Sequence, residues 1–146
     1  SSSDAKLERA AALGAVATIN YKATPEWSKA VLAATGGVGA QQVLEVGGAG
    51  TLAQSLASGA PGGHVALIGG LSGFGGDIPA GSLVGRNAGV TGITVGSRAD
   101  FEALNAFLAR HSIRPVIDRV FEFEQAEAAY AWMDTGNHFG KVVIRL

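Results

Sequence analysis

The sequence contains no cysteine. That absence excludes a disulfide framework and any thiolate metal site within these residues. Charge is scarce as well. Charged residues make up 16% of the chain, and 11 Lys+Arg stand against 12 Asp+Glu, a net charge of −1. A nucleic-acid partner needs a basic surface, so none is expected. No apolar run approaches the roughly 20 residues that span a bilayer, and no membrane partner is expected either. Ser1 to Arg9 is polar and charged, unlike the apolar centre of a signal peptide. A cytoplasmic location is the expectation. The chain is nevertheless 47% hydrophobic, too apolar for a disordered segment. Its 146 residues suit about one domain.

Glycine is what the sequence has in excess. It holds 22, and 19 of them lie between Gly36 and Gly96. That stretch needs tight turns or close backbone approach.

The pattern of apolar residues sets an order of elements. Asp4 to Leu13 reads as a helix, with Ser3 or Asp4 as its N-terminal cap and Gly14 past its end. Val16 to Ile19 reads as a short strand. Pro25 to Ala34 reads as a helix capped by Thr24. Gln42 to Val46 reads as a strand, Thr51 to Ser58 as a short helix, and Pro61-Gly62-Gly63 as a turn. His64 to Gly69 carries the run Val65-Ala66-Leu67-Ile68, as expected of a strand buried on both faces. Gly70 to about Arg86 reads as a long, glycine-rich loop, the kind that is usually functional or mobile. Then come a strand at Val90–Val95, a helix at Ala99–Arg110, a strand at Val116–Phe121, a helix at Glu124–Asp134 and a strand at Lys141–Arg145. Such alternation predicts a parallel α/β sheet with helices on both faces. The chain opens on a helix, whereas the central strand of an open α/β sheet usually comes first. Something upstream is therefore expected to be missing.

Ligands of open α/β sheets bind beyond the carboxyl ends of the strands. That rule selects Asn20-Tyr21-Lys22, Gly47-Gly48-Ala49-Gly50, Gly69-Gly70-Leu71-Ser72 and Gly96-Ser97-Arg98. Glycine there lets an extended ligand approach the backbone. Gly48-x-Gly50-x-x-Ala53 matches a dinucleotide pattern, in which a pyrophosphate sits on a helix N-terminus. The preferred reading is an ordinary strand-to-helix turn, because the acidic partner expected about 20 residues on is missing. Glu45 sits oddly in an apolar strand. It either points into the ligand cleft or pairs at the strand end. No catalytic constellation is visible. His64, His111 and His138 lack metal spacing, no Gly-x-Ser-x-Gly elbow occurs, and neither Tyr21 nor Tyr130 is followed by Lys four residues on. At the N-terminus, Ser1-Ser2-Ser3-Asp4-Ala5-Lys6 offers hydroxyls and an ammonium to an anion, or simply caps a helix.

Several segments, taken in order, resemble one family. They are Ser1-Ser2-Ser3-Asp4-Ala5-Lys6-Leu7-Glu8, Leu13-Gly14-Ala15, Ile19-Asn20-Tyr21, Val43-Leu44-Glu45-Val46-Gly47-Gly48, Pro61-Gly62-Gly63-His64-Val65, Gly92-Ile93-Thr94-Val95-Gly96-Ser97-Arg98 and His138-Phe139-Gly140-Lys141-Val142-Val143. Together they resemble the C-terminal part of the medium-chain dehydrogenases, the zinc-type alcohol dehydrogenase and quinone reductase superfamily.

The resemblance implies an incomplete Rossmann-type parallel sheet lacking its first strand and its phosphate-binding loop. The triple serine is similar to the end of the second Rossmann strand, where the adenosine ribose lies. Ser2, Ser3 and Lys6, with Tyr21 beside them, would suit the 2′-phosphate of NADP, with NAD the other possibility. Val46, Gly47 and Gly48 resemble the loop beside the adenosine. Ile68, Gly69 and Gly70, with Val95, Gly96 and Ser97, resemble the strand ends flanking the nicotinamide. Lys141 belongs to a segment that edges the cofactor cleft.

No residue is assigned a catalytic or metal role, since any zinc would belong to a missing catalytic domain. Residues 1–112 are expected to be the remnant of the dinucleotide-binding domain. Residues 113–146 are expected to return towards the missing catalytic domain. The implied parent is an NADP-dependent oxidoreductase, truncated or proteolysed here and inactive by itself. It would pass a hydride to or from a carbonyl, alcohol or activated alkene. The other reading is a non-catalytic binding or dimerisation module. A homodimer through strand 90–95 is expected, and so is some rearrangement of strands left without their central partner.

Overall fold

The computed structural model describes residues 1–75, 77–78 and 80–146. The chain divides into two compact units, Ser1–Val95 and Gly96–Leu146.

The first unit contains α1 (Asp4–Ala12), α2 (Trp27–Ala34), β1 (Ala40–Glu45), α3 (Leu52–Ser58), β2 (Gly59–Leu67), α4 (Ala80–Arg86) and β3 (Gly89–Gly92). Ser3 caps α1, its hydroxyl accepting from the Lys6 amide at 3.4 Å. The three strands form a parallel sheet in the order β1-β2-β3. A helix links each consecutive pair, as parallel neighbours require. Helix α3 packs on β1 and β2 and touches α2 and α4. Leu56 of α3 and Val65 of β2 are the largest fully buried side chains. Burying each contributes about 1.5–3 kcal/mol.

The β1–β2 register breaks once. Ala40 pairs with Gly59, but Gln42 pairs with His64. The expected turn at Pro61-Gly62-Gly63 is thus a bulge within β2, with Gly62 at φ +72°. Above it, Gln42 Nε2 lies 3.1 Å from His64 Nδ1, and His64 Nε2 lies 2.9 Å from Thr91 Oγ1. One imidazole therefore bridges all three strands.

The second unit contains α5 (Arg98–Arg110), β4 (Ile117–Glu122), a 3-10 turn (Phe123–Gln125), α6 (Ala126–Asp134) and β5 (Lys141–Arg145). Strands β4 and β5 pair in parallel, and α6 packs on both. Asp118 organises this unit. Its carboxylate accepts from Trp132 Nε1 at 2.9 Å and from the Phe139 amide at 3.0 Å. The Arg119 guanidinium lies 3.6 Å from the centre of the Trp132 ring, a cation–π contact.

Four sequence expectations need correction. Val16–Ile19 forms no strand, and Val16 is fully exposed. This segment is tied instead to the N-terminus: the Ser1 amine donates to Ile19 O at 3.2 Å and the Tyr21 amide to Ser1 O at 3.1 Å. Helix α2 starts at Trp27, not Pro25, and its N-cap is Glu26, without a side-chain cap bond. The segment from Gly70 to Arg86 is not all loop, because α4 occupies its end. Gly76 and Pro79, within that segment, lie outside the described residues. Finally, β3 ends at Gly92; the Ile93 amide still donates to Leu67 O at 2.9 Å, and Thr94–Val95 lies outside the strand.

Candidate functional site

The carboxyl ends of β1 and β2 lead into two loops that are bonded to each other. Glu45 ends β1 and is 3% exposed. Its side chain curls back over the turn that follows. Oε1 accepts from the Gly47 amide at 2.6 Å, the Gly48 amide at 2.9 Å and the Thr51 hydroxyl at 2.6 Å. Oε2 accepts from the Ser55 hydroxyl. Burial pushes the Glu45 carboxyl up, but the bonds from Ser55, Thr51, Gly48 and Gly47 outweigh it, and its pKa lies below the ordinary value.

Ser72 joins the second loop to the first. Its amide donates to Gly47 O at 2.8 Å, its hydroxyl donates to the same oxygen at 2.6 Å, and that hydroxyl accepts from the Gly50 amide at 2.8 Å. The Ala49 amide donates to Gly73 O at 3.0 Å. Gly48 adopts φ +86°, and a Cβ there would stand 2.5 Å from Gly73 O and 2.6 Å from the Gly70 Cα.

These contacts change the meaning of the glycines. Those of Gly47–Gly50 and Gly69–Gly70 were expected to admit a ligand to the backbone. Gly48 instead admits the neighbouring loop, Gly69 lies against the backbone of Val46, and Gly70 lies under the Phe74 ring. The pattern Gly48-x-Gly50-x-x-Ala53 is a strand-to-helix turn whose first amides are already taken by a carboxylate. It does not fit a pyrophosphate.

Two open clefts flank these loops. One, of about 550 Å³, is lined by Tyr21, Trp27, Leu44, Val46, Gly47 and Leu71 among others. The second, of about 700 Å³, is lined by Leu67, Ile68, Phe74, Ile93 and Val95 among others. Its lining is mostly apolar, and Val95 is 96% exposed. Of the expected site residues, Tyr21, Val46 and Gly47 thus share the first cleft, and Ile68 and Val95 the second.

Ser2, Ser3 and Lys6 sit at the start of α1. The Tyr21 loop is held to that segment through Ser1 and through Asn20 Nδ2, which donates to Asp4 Oδ1 at 2.7 Å. The Asp4 carboxylate is therefore engaged by an amide.

Gly96, Ser97 and Lys141 belong to the second unit. Ser97 caps α5, its hydroxyl accepting from the Asp100 amide at 3.2 Å while Asp100 Oδ2 accepts from the Ser97 amide at 2.8 Å. The Ser97 hydroxyl and amide hold the Asp100 carboxyl below its ordinary pKa. Gly96 precedes this cap, and a Cβ there would press on the Asp100 side chain. Lys141 opens β5, with its amide donating to Val116 O at 2.8 Å.

Thr51, Ser55 and Phe74 were not singled out from the sequence, and Ser72 was named only as part of its loop, although all of them build the rim. The one signal that could have found them was the acidic residue between an apolar strand and two glycines. For zinc, the chain has no cysteine, and among the described residues no group of three His, Asp or Glu could hold a metal. These residues do not fit a zinc site. Among the described residues, no helix is long and apolar enough to cross a membrane.

Comparison with known proteins places this architecture. Residues 1–110 match the family described as zinc-binding dehydrogenase. The whole chain is 44% identical over 150 residues to a zinc-type alcohol dehydrogenase-like protein of Schizosaccharomyces pombe, 43% of which it covers. A solved structure from Sinorhizobium meliloti 1021, described as an alcohol dehydrogenase, superposes with a TM-score of 0.90 at 42% identity; the match covers 100% of this chain and 42% of the other. A solved NAD-dependent alcohol dehydrogenase gives a TM-score of 0.86 at 33% identity, over 99% of this chain and 42% of the other. The chain thus spans about two fifths of these relatives. Matched over most of its length and sharing the parallel, Rossmann-like α/β fold, the chain belongs to the zinc-binding dehydrogenase family.

Proposed function

We propose that the chain is the C-terminal cofactor-binding portion of an NAD(P)-dependent oxidoreductase, which passes a hydride to or from a carbonyl, alcohol or activated alkene. The bound nicotinamide would supply the hydride chemistry, and the protein would position it. One observation carries the reading: clefts flank the bonded loops at the carboxyl ends of consecutive parallel strands, where α/β sheets take nucleotides.

Ile68, Gly69, Gly70 and Val95 would form the apolar wall against the nicotinamide; Gly96, Ser97 and Lys141 are assigned to the cofactor by the family resemblance alone. Val46, Gly47, Gly48 and Tyr21 would flank the adenosine. Ser2, Ser3 and Lys6 offer hydroxyls and a cation to a 2′-phosphate, which favours NADP over NAD. Residues 1–112 would form the dinucleotide-binding part, and 113–146 would lead towards a catalytic domain in the parent. Any zinc would be held there. The parent would be a cytoplasmic enzyme of alcohol dehydrogenase or quinone reductase type.

The Gly47 and Gly48 amides are spent on Glu45 and are not free for the pyrophosphate. Affinity of this chain alone should therefore be weak, on the order of millimolar. Calorimetric titration with NADPH and NADH tests this. Weak, saturable binding with NADPH preferred supports the reading, and equal affinity removes the NADP assignment. A dehydrogenase assay on the chain alone should show no turnover.

A second reading, a binding or dimerisation module, is favoured by one observation. β3 is an edge strand of its sheet, and the first unit ends just beyond it on exposed Val95. Pairing of segment 90–95 with its twin would give a homodimer. Sedimentation should return twice the monomer mass, and Val95→Lys should restore the monomer.

A further inference from the structure

We infer that the Glu45 carboxylate is a built-in anion that positions the cleft rim: it holds the loop after β1 in register with the loop after β2 and closes that loop's amides to phosphate. The part concerning phosphate rests on the dinucleotide reading above. The positioning part stands without it.

Four donors from three successive pieces of chain converge on this one carboxylate. They are the two glycine amides of the turn, the Thr51 hydroxyl at the N-cap of α3, and the Ser55 hydroxyl inside α3. Charge-assisted bonds of this kind are the strong ones.

The decisive feature is a single peptide plane. Gly47 C=O and Gly48 N–H belong to the same trans peptide, so they point in opposite directions. Glu45 holds the Gly48 N–H on one side at 2.9 Å. That fixes Gly47 O on the other side, where Ser72 donates to it twice, at 2.8 Å and 2.6 Å. The carboxylate never touches Ser72, yet it orients the group that Ser72 grips. Two flanking glycines would otherwise let this plane turn, since neither has a side chain to resist it. A phosphate oxygen arriving at the loop would find both amides occupied and a like charge behind them.

Amide hydrogen exchange by NMR tests this on the intact chain. Glu45→Ala removes the carboxylate and leaves its four donors facing a hole of carboxylate size. Exchange at Gly48 and at Ser72 should accelerate on the order of 10- to 100-fold. Added formate should slow both again, saturably, while chloride at the same ionic strength should not. Pyrophosphate should shift the Gly47 and Gly48 resonances in Glu45→Ala and leave them unmoved in the wild type.

Glu45→Gln fills the same space and keeps one acceptor oxygen, so its rates should be intermediate and insensitive to formate. Unchanged Ser72 exchange in Glu45→Ala, or rates indifferent to formate, overturns the positioning role. Should Glu45→Ala fail to fold, Glu45→Gln decides, and wild-type rates at Gly48 and Ser72 overturn it. Pyrophosphate shifting Gly47 and Gly48 in the wild type overturns the closure to phosphate. A failure of the dinucleotide reading alone would leave the formate result intact.

Discussion

Replacing Gly48 by alanine should destabilise the first unit by about 2–5 kcal/mol, from two sources. Gly48 sits at φ +86°, a conformation that costs an L-residue roughly 1–2 kcal/mol. The added methyl would also stand 2.5 Å from Gly73 O and 2.6 Å from the Gly70 Cα. Both are backbone atoms, so relief means moving the second loop, and overpacking of this kind costs about 1–3 kcal/mol. Gly62→Ala separates the two sources. Gly62 has φ +72°, but a methyl added there would meet nothing within 4 Å, so it should cost only the first, roughly 1–2 kcal/mol. The assay is native-state hydrogen exchange at Val65 and Ala66, which are buried in β2 and report opening of the sheet. Equal losses for the two substitutions would refute close contact between the loops at Gly48.

Three further outcomes follow from particular contacts. The folded pKa of Glu45 is depressed relative to an unfolded value of about 4.3. Its stabilisation is therefore complete above that value and fades as pH falls through the folded one; urea midpoints measured from about pH 7 down to 3 should drop less for Glu45→Gln than for the wild type. Asp118→Ala strands both Trp132 Nε1 and the Phe139 amide and should destabilise the second unit by about 2–4 kcal/mol, read as a shifted emission of Trp132 and a lower urea midpoint. Lys6→Ala should weaken NADPH more than NADH in a calorimetric titration; equal weakening would remove the 2′-phosphate role.

Much of the fold was legible because local signals agreed with one another. The Ser3 cap, the buried Val65 and Ala66 of the apolar run and the limits of β5 were each written in a few neighbouring residues. What could not be read depended on distant partners. Val16–Ile19 has a strand's composition, but a strand needs a neighbour, and the bonds that hold the end of this segment go to Ser1. Helix α4 contains Gly81 and Gly85, each of low helix propensity, so its residues alone argued for loop.

The site was half legible. The rule of carboxyl strand ends found the right loops, but the glycines within them serve loop-to-loop contact. The path of the Glu45 side chain has no periodic signature. Its partner Ser55 lies ten residues on, inside α3, and the Ser72 grip on Gly47 spans 25 residues.

Everything said of function requires that the clefts beyond β1, β2 and β3 take a nicotinamide dinucleotide. Chemical-shift mapping during titration of the labelled chain with NADPH addresses that requirement residue by residue. Small, saturable shifts should be confined to Ser2, Ser3, Lys6, Tyr21, Val46, Ile68, Gly69, Val95, Ser97 and Lys141 and their immediate neighbours. Shifts centred elsewhere on the chain, or none at several times the expected millimolar constant, would show that the clefts do not bind it.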